Sequence, residues 1–214
     1  MPACRDCIYL IRNKCYLLGK GEHSLIRPCV IAATVETSLR IQSGDNILEV
    51  GCGKADWVER VIDRRGGVWF GLDPEDHGRN GQEIGTVCNH PFLAKEFEGV
   101  IAISTFEHWR EHGENQEDGL ASIHRMLNLG GWLLITCPMF VHGAKEFVVG
   151  DRAQILGYFD PALWDIEVED WRREYEPLPK WKGWKPRREK IMRNNGIDTE
   201  QVSSYQMIVT AVKK

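Results

Sequence analysis

The stretch 47–54, with the sequence ILEVGCGK, decides the predicted fold of this chain. Three apolar residues and a carboxylate lead directly into a Gly-x-Gly turn, and residues 55–62 follow with helical spacing. A strand, a glycine turn and a helix in this order form the first half of a nucleotide-binding βα unit. Glycine lets the backbone approach a ligand closely, and the helix that follows offers backbone N–H groups to it. An ordinary strand-to-helix turn is the alternative interpretation.

A second strand strengthens the nucleotide interpretation. Residues 68–72, VWFGL, form a short, fully apolar run, which is typical of a parallel strand covered on both faces. The run ends at Asp73-Pro74, 20 residues after Gly53. An acidic residue at this place is the expected partner of the ribose hydroxyls of a nucleoside. A turn begun by Asp-Pro is the alternative role of Asp73.

The remaining pattern alternates between predicted strands and helices. Amphipathic spacing predicts helices over 28–39, 55–64 and 119–128, the first of them begun by Pro28. The predicted strands after the first two are a brief third strand at 86–88, buried strands at 99–104 and 132–138, a half-exposed strand at 164–169 and a final strand at 205–212.

Length and charge exclude several classes of protein. A chain of 214 residues fits one domain of ordinary size with a small appendage. Its net charge of −4 gives no general attraction to nucleic acid or to an anionic membrane. The sequence has no apolar run of the roughly 20 residues that span a bilayer. The first residues, MPACRDC, carry charges where a signal peptide is apolar, so we expect a cytoplasmic protein.

Residues 1–29 are predicted to form a separate cysteine-rich extension. Four of the seven cysteines lie in this extension with the spacing C-x2-C-x7-C-x13-C, namely Cys4, Cys7, Cys15 and Cys29. Four thiolates that include one C-x2-C pair can close a tetrahedral zinc site or hold an iron–sulfur cluster. Such a site would be structural, because four cysteines leave no open coordination position. Four unrelated thiols are the alternative.

Four motifs in order resemble those of the class I S-adenosylmethionine-dependent methyltransferases, in their small-molecule branch. Residues 47–53 look like the first motif of that family, and Gly71-Leu72-Asp73 looks like its acidic second-strand end. Residues 101–108, IAISTFEH, resemble the fourth strand with its Glu-His ending. Residues 122–138 resemble the next helix, a glycine turn and the fifth strand, with Leu129 where the family usually has proline. The resemblance covers about residues 45–140.

The resemblance implies an α/β fold and a cofactor site. The fold would be Rossmann-like, a doubly wound, mostly parallel sheet of seven strands, over residues 30–214. S-adenosylmethionine would lie across the carboxyl ends of the first strands. The family's third strand ends in an aspartate that accepts from the adenine amino group, and this sequence offers only the carbonyl of Asn89 there. The cofactor-binding residues expected on this basis are Glu49, Gly51, Cys52, Gly53, Asp73, Pro74, Asn89 and Ser104.

The catalytic and substrate-binding residues are less well defined. Glu107 and His108 follow the fourth strand and are predicted either as a base or substrate ligand or as the pocket floor and the cap of the next helix. His142 is a second candidate at the rim, whereas His124 faces the apolar side of a helix and is predicted to pack there. Residues 140–200 form a variable substrate region, in which residues 177–188 interleave tryptophan with lysine and arginine.

The sequence therefore predicts an enzyme that transfers a methyl group from S-adenosylmethionine to an oxygen or nitrogen of a small molecule. A non-catalytic protein of the same fold, binding a partner through the cysteine extension and residues 177–188, is the main alternative. A nicotinamide-dependent oxidoreductase is disfavoured, because Asp56 stands where G-x-G-x-x-G has its third glycine. The acidic chain does not favour a nucleic-acid substrate.

Overall fold

The computed structural model defines one seven-stranded sheet and one small sheet. It describes residues 10–11, 14–15, 20–21, 40–139, 143–172, 190, 193–194, 196 and 204–214. The small sheet is antiparallel and consists of β1 (Leu10–Ile11), β2 (Lys14–Cys15) and β3 (Lys20–Gly21). The predicted helix over 28–39, the greater part of the cysteine extension and residues 177–188 lie outside the described residues, so the proposed division at residue 29 stays a prediction.

The large sheet has the order β6-β5-β4-β7-β8-β10-β9, and it confirms the predicted fold class. Strands β4 to β8 pair in parallel, while β10 lies antiparallel between β8 and β9. The strands are β4 (Asn46–Val50), β5 (Val68–Asp73), β6 (Gln82–Ile84), β7 (Phe97–Ile103), β8 (Leu127–Pro138), β9 (Trp164–Arg172) and β10 (Ser204–Lys213).

The helices begin where the sequence provides a cap or an apolar face. Helix α1 (Trp57–Arg64) packs Val58, Val61 and Ile62 against the sheet. Helix α2 (Gln116–Met126) begins three residues earlier than predicted, because the Asn115 side chain caps it by accepting from the Asp118 N–H at 2.7 Å. Two short helices follow β8, α3 (Lys145–Val149) and α4 (Arg152–Leu156). None of the helices among the described residues has the length and apolar character needed to cross a membrane.

The apolar core lies on both faces of the sheet. Leu48 and Val50 of β4 belong to the cluster on one face, and Ile47 belongs to the cluster on the other, as alternation along a strand requires. Both faces are covered, so β4 has no solvent-exposed face and three of its five residues are apolar. His124 packs edge-to-face on Trp164 with the ring centroids 5.1 Å apart, as its helical position predicts.

The third strand lies four residues before its predicted position. Gln82–Ile84 pairs in parallel with Gly71–Asp73, whereas residues 86–89 form a reverse turn. In that turn Thr86 and Asn89 exchange backbone hydrogen bonds of 2.9 and 3.1 Å. The prediction of a strand at 86–88 is therefore wrong. The observed strand is a polar edge strand, which has no apolar face for a sequence pattern to reveal.

Candidate active site at the carboxyl end of the sheet

The glycine turn after β4 has no room for a side chain. Gly51 has φ of +70°, and its N–H donates to the Leu72 carbonyl at 2.7 Å. A Cβ atom at Gly51 would lie 2.0 Å from Cγ2 of Thr105, the residue that follows β7 by two positions. The Thr105 hydroxyl in turn donates to the Val50 carbonyl at 3.3 Å. The ends of β4 and β7 are thus packed together through a glycine.

Asp73 joins the glycine turn to the end of β5. Its Oδ2 accepts from the Gly53 N–H at 2.9 Å, and its Oδ1 accepts from the Glu75 N–H at 3.0 Å. The His77 Nε2 atom lies 3.1 Å from Oδ1. These contacts orient a nearly buried carboxylate beside the turn. A carboxylate has about four lone-pair sites, so Asp73 keeps capacity for a further donor such as a hydroxyl.

Glu49 lies beneath the turn and is almost completely buried. Its Oε2 accepts from the Trp69 indole N–H at 2.8 Å, and a nitrogen of the Arg79 guanidinium lies 3.8 Å from the same oxygen. Burial raises the pKa of Glu49 to about 8, against the lowering effects of the Trp69 hydrogen bond and of Arg79. Glu49 therefore supports the turn from below and does not line the cavity above it.

Arg79 holds the glycine turn by its carbonyl groups. One guanidinium nitrogen donates to the Cys52 and Gly53 carbonyls at 3.1 and 3.2 Å, and another donates to Glu59 at 2.7 Å. The guanidinium lies 4.0 Å from the centre of the Trp69 ring. Sequence reasoning missed this role, because Arg79 lies in a polar, glycine-containing segment that resembles an ordinary loop.

A cavity of about 290 Å³ opens above the turn, at the carboxyl ends of the parallel strands. Its walls combine apolar side chains with the Asp73 carboxylate and a group of polar residues near the 3-10 helix Phe106–His112. The lining residues are Val50–Gly51, Leu72–Glu75, Gly85–Val87, Thr105, His108–Trp109, His112 and Glu114. A concave, partly apolar site at this edge of an α/β sheet is the usual place for a ligand.

The structure separates the two predicted catalytic residues. His108 lines the cavity, and its Nδ1 lies 2.8 Å from a carboxylate oxygen of Glu111. Glu107 is completely buried below it, with Oε1 3.7 Å from the His108 Nε2. Gly143 packs on Glu107, since a Cβ there would lie 2.6 Å from the Glu107 Cβ. Of the pair, only His108 is placed to meet a ligand; His142 lies outside the described residues.

The other predicted cofactor residues divide between the cavity and its surroundings. Gly51, Asp73 and Pro74 line the cavity. Cys52 is buried, and burial raises the pKa of its thiol to about 12, so it stays protonated at neutral pH. Ser104 has φ of +53° and donates its N–H to the Thr136 carbonyl at 2.7 Å, behind the cavity wall. Asn89 is exposed in its turn and does not line the cavity.

The predicted metal site lies almost wholly outside the part of the chain that the structure describes. Cys15 belongs to β2, whereas Cys4, Cys7 and Cys29 are not among the described residues. Within the described residues, no group of three or more histidine, cysteine or acidic side chains is arranged to hold a metal ion. The metal site stays a prediction.

Comparison with known proteins assigns the family. A family model described as "Methyltransferase domain" matches residues 24–195, which is more than half of the chain. This chain belongs to the S-adenosylmethionine-dependent methyltransferase family. No curated protein matches the methyltransferase by sequence.

Solved structures share the fold at low sequence identity. A geranyl diphosphate methyltransferase, in complex with GPP and sinefungin, has a TM-score of 0.62 and 14% identity, over 86% of this methyltransferase and 76% of that chain. The [4+2]-cyclase SpnF has a TM-score of 0.60 and 17% identity, and the match covers 86% of this chain and 80% of that chain.

Phosphoethanolamine N-methyltransferase 2 of Haemonchus contortus, in complex with S-adenosylmethionine, has a TM-score of 0.59 and 16% identity. The match covers 85% of this methyltransferase and 51% of that chain, so the methyltransferase spans about half the length of that neighbour. Identities this low establish the fold, and the residues of the cavity must support any statement about the reaction.

Proposed function

We propose that this chain transfers the methyl group of S-adenosylmethionine to an oxygen or nitrogen of a small molecule. The observation that carries the proposal is the meeting of the Asp73 carboxylate and the Gly51–Gly53 turn at one cavity. Asp73 would accept from the ribose hydroxyls, and the turn would face the amino-acid end of the cofactor. Gly51 lets the turn adopt φ of +70° in close contact with Thr105, so that the backbone itself lines the cavity.

The chain's own task in this reaction is placement. S-adenosylmethionine supplies a methyl group that is already electrophilic, because the carbon is bound to a positively charged sulfur. The protein has to hold an acceptor in line with that bond and exclude water. Thr105 and Trp109, which are partly or wholly buried at the cavity wall, would shape this space.

His108 is the side chain we propose for contact with the acceptor. It belongs to the 3-10 helix and lines the cavity, and its Nδ1 lies 2.8 Å from the Glu111 carboxylate. A hydroxyl or ammonium acceptor must lose a proton when it is methylated, and an imidazole with a carboxylate behind it can take that proton. Glu107 would act through His108 and through the packing of Gly143.

A small-molecule acceptor is supported by the named activities of two neighbours. Geranyl diphosphate and phosphoethanolamine are the acceptors in the names of those proteins, and both are small molecules. The chemical class of the acceptor of this chain is left open between oxygen and nitrogen nucleophiles. The cytoplasmic location stays a prediction from the sequence.

The test is calorimetric titration of the purified protein with S-adenosylmethionine and S-adenosylhomocysteine. We expect micromolar binding that Asp73→Ala weakens by roughly 10- to 100-fold, because hydrogen bonds to a charged group contribute about 1.5–3 kcal/mol. Asp63→Ala is the matched control, since Asp63 is an exposed carboxylate of α1 outside the cavity. It should leave the affinity unchanged.

Thermal unfolding of each variant separates lost binding from lost folding. Asp73→Asn keeps the shape of the side chain and loses the charge, but its NH2 group must face the N–H of Gly53 or of Glu75, so we expect weaker binding together with a lower unfolding temperature. A well-folded wild type that binds neither compound would contradict the proposal. The partner-binding alternative would then be the better account of the chain.

We also propose that the N-terminal cysteines Cys4, Cys7, Cys15 and Cys29 hold one metal ion or cluster, zinc ahead of iron–sulfur. The spacing of the cysteines and their chemistry as thiolate ligands support it. Elemental analysis of protein purified without added metal should find close to one zinc per chain, and Cys7→Ser should lower that content. Stoichiometric iron with a visible absorption band would instead identify a cluster. Metal-free wild-type protein would rule the site out.

A further inference from the structure

Glu114 occupies a position at the cavity that its sequence context does not reveal. It follows the 3-10 helix and precedes α2, in a polar segment. Gly113 ends the 3-10 helix with φ of +81°, and the Glu114 N–H then donates to the Trp109 carbonyl at 3.2 Å. After this reversal Glu114 lines the cavity, and its side chain contacts Thr86 and Cys88.

The Glu114 carboxylate is fixed by the turn that follows β6. Its Oε1 accepts from the Cys88 N–H at 3.0 Å and from the Thr86 hydroxyl. Thr86 and Val87 line the cavity beside it. Two donors on one oxygen hold the carboxylate in one orientation, and a carboxylate keeps acceptor capacity beyond two hydrogen bonds.

The position of Asp73 tells where a nucleoside base would lie. Strand β5 lies between β4 and β6, so the end of β5 at Asp73 has the glycine turn after β4 on one side and the segment Gly85–Val87 after β6 on the other. Because the amino-acid end of the cofactor takes the side of the turn, its base must lie towards Gly85–Val87. There Leu72, Val87 and Trp109 provide apolar walls for a flat ring.

We propose that Glu114 selects the base by accepting a hydrogen bond from the exocyclic amino group of adenine. An ionised carboxylate only accepts hydrogen bonds, so it pairs with an amino group and repels a carbonyl oxygen. Glu114 thereby takes the role for which the third strand of this chain has no aspartate. This inference rests on the proposed use of S-adenosylmethionine, and it adds the residue that distinguishes adenine from an oxygen-bearing purine.

A purely structural role for Glu114 is the competing account, since its hydrogen bonds tie the turn at 86–88 to the end of the 3-10 helix. Either role makes a variant bind adenine less well. Only the recognition role changes the preference between two bases. The experiment must therefore measure a ratio of affinities.

The probes are S-adenosylhomocysteine and S-inosylhomocysteine, in which a carbonyl oxygen replaces the amino group at position 6 of the purine. We expect the wild type to prefer the adenine compound by about 10- to 100-fold, the range for recognition of one base edge by hydrogen bonds. In Glu114→Gln the side-chain oxygen still accepts from Thr86 and Cys88, and the amide nitrogen can donate to the carbonyl of the inosine compound. The preference should fall at least about tenfold, mainly through tighter binding of the inosine compound.

Two further variants make the result decisive. Glu114→Asp keeps an acceptor but shortens the side chain, so it should weaken binding of the adenine compound without improving binding of the inosine compound. Glu117→Gln neutralises an exposed carboxylate in the first turn of α2 and should leave the ratio unchanged. Thermal unfolding in the presence of each compound provides a second readout.

The outcomes are distinct. An unchanged ratio of affinities for the two compounds in a folded Glu114→Gln variant would overturn the proposal. Glu114 would then have only a structural role. A wild type that binds the two compounds equally well would also overturn it, while the proposed methyl transfer would stand. A wild type that binds neither compound would overturn both this inference and the proposed function.

Discussion

Gly51→Ala is expected to abolish measurable binding of S-adenosylmethionine and to destabilise the fold. The residue has φ of +70°, and the new Cβ would lie 2.0 Å from Cγ2 and 2.8 Å from Cβ of Thr105. A left-handed conformation costs an L-residue roughly 1–2 kcal/mol, and overpacking adds typically about 1–3 kcal/mol. The summed loss of about 2–5 kcal/mol is measurable by denaturant unfolding. Relief of this clash must displace Gly51 or Thr105, both of which line the cavity.

Gly44→Ala is the matched control for the cost of a positive φ alone, without overpacking. Gly44 has φ of +90°, a Cβ atom added there would meet nothing within 4 Å, and the residue lies before β4, outside the cavity. We expect the variant to lose about 1 kcal/mol of stability and to keep the cofactor affinity of the wild type. If Gly51→Ala bound the cofactor as Gly44→Ala does, the close packing of Gly51 and Thr105 would have no part in forming the site.

Arg79→Met is the second change with a large expected effect. It removes the donors to the Cys52 and Gly53 carbonyls and the ion pair with Glu59, and it takes a cation from beside the buried Glu49. Leaving a buried acceptor without its donor costs about 1–3 kcal/mol. We expect a loss of stability near the lower end of this range, since Glu49 keeps its hydrogen bond from Trp69. We also expect a cofactor affinity that is at least about tenfold lower than that of the wild type.

The loss of stability in Arg79→Met should grow with pH. The pKa of Glu49 is raised in the folded state to about 8, so the unfolded chain loses this proton first and stability falls as the pH rises from about 4.5 towards 8. Arg79 lowers the pKa of Glu49 in the folded state, so removal of Arg79 raises that pKa further. The stability of the variant then continues to fall above pH 8. Urea unfolding at about pH 6 and about pH 9 should give a larger difference between variant and wild type at the higher pH.

Two variants control this experiment. Arg79→Lys keeps a positive charge but cannot reach the carbonyls and Glu59 together, and we expect an intermediate affinity. Arg60→Met removes an exposed partner of Asp56 on α1 and should cost less than about 1 kcal/mol, with no added pH dependence in the alkaline range. A difference between Arg79→Met and wild type that stays constant between the two pH values would show that Glu49 and Arg79 are not coupled.

The central half of the fold was predictable from local patterns. The strands at 46–50, 68–73 and 97–103 are mostly buried on both faces, so each is rich in apolar residues that a sequence displays directly. Gly51 and Gly53 have positive φ, which is why glycine serves in the turn, and Asp73 ends its strand beside them. The glycine turn and the carboxylate beside it could therefore be predicted from these residues.

The third strand and the cavity wall at residues 85–87 were not predictable in this way. Gln82–Ile84 is a polar edge strand whose identity depends on pairing with Gly71–Asp73, and no periodicity marks it. The apolar Val87, which suggested a strand, instead lines the cavity from a loop. Burial of a single residue does not distinguish these two cases in a sequence.

Local sequence was enough for the succession of strands, the glycine turn and the acidic residue at the end of the second parallel strand, because each depends on neighbours within a few residues. Tertiary pairing of the strands was needed to bring Arg79 onto the carbonyls of the turn, Thr105 against Gly51 and Glu114 across to residues 86–88. These contacts join residues at least 26 positions apart. Residues this far apart in the sequence give no local signal that their side chains will meet. The chemical character of the cavity is therefore decided only when the sheet has formed.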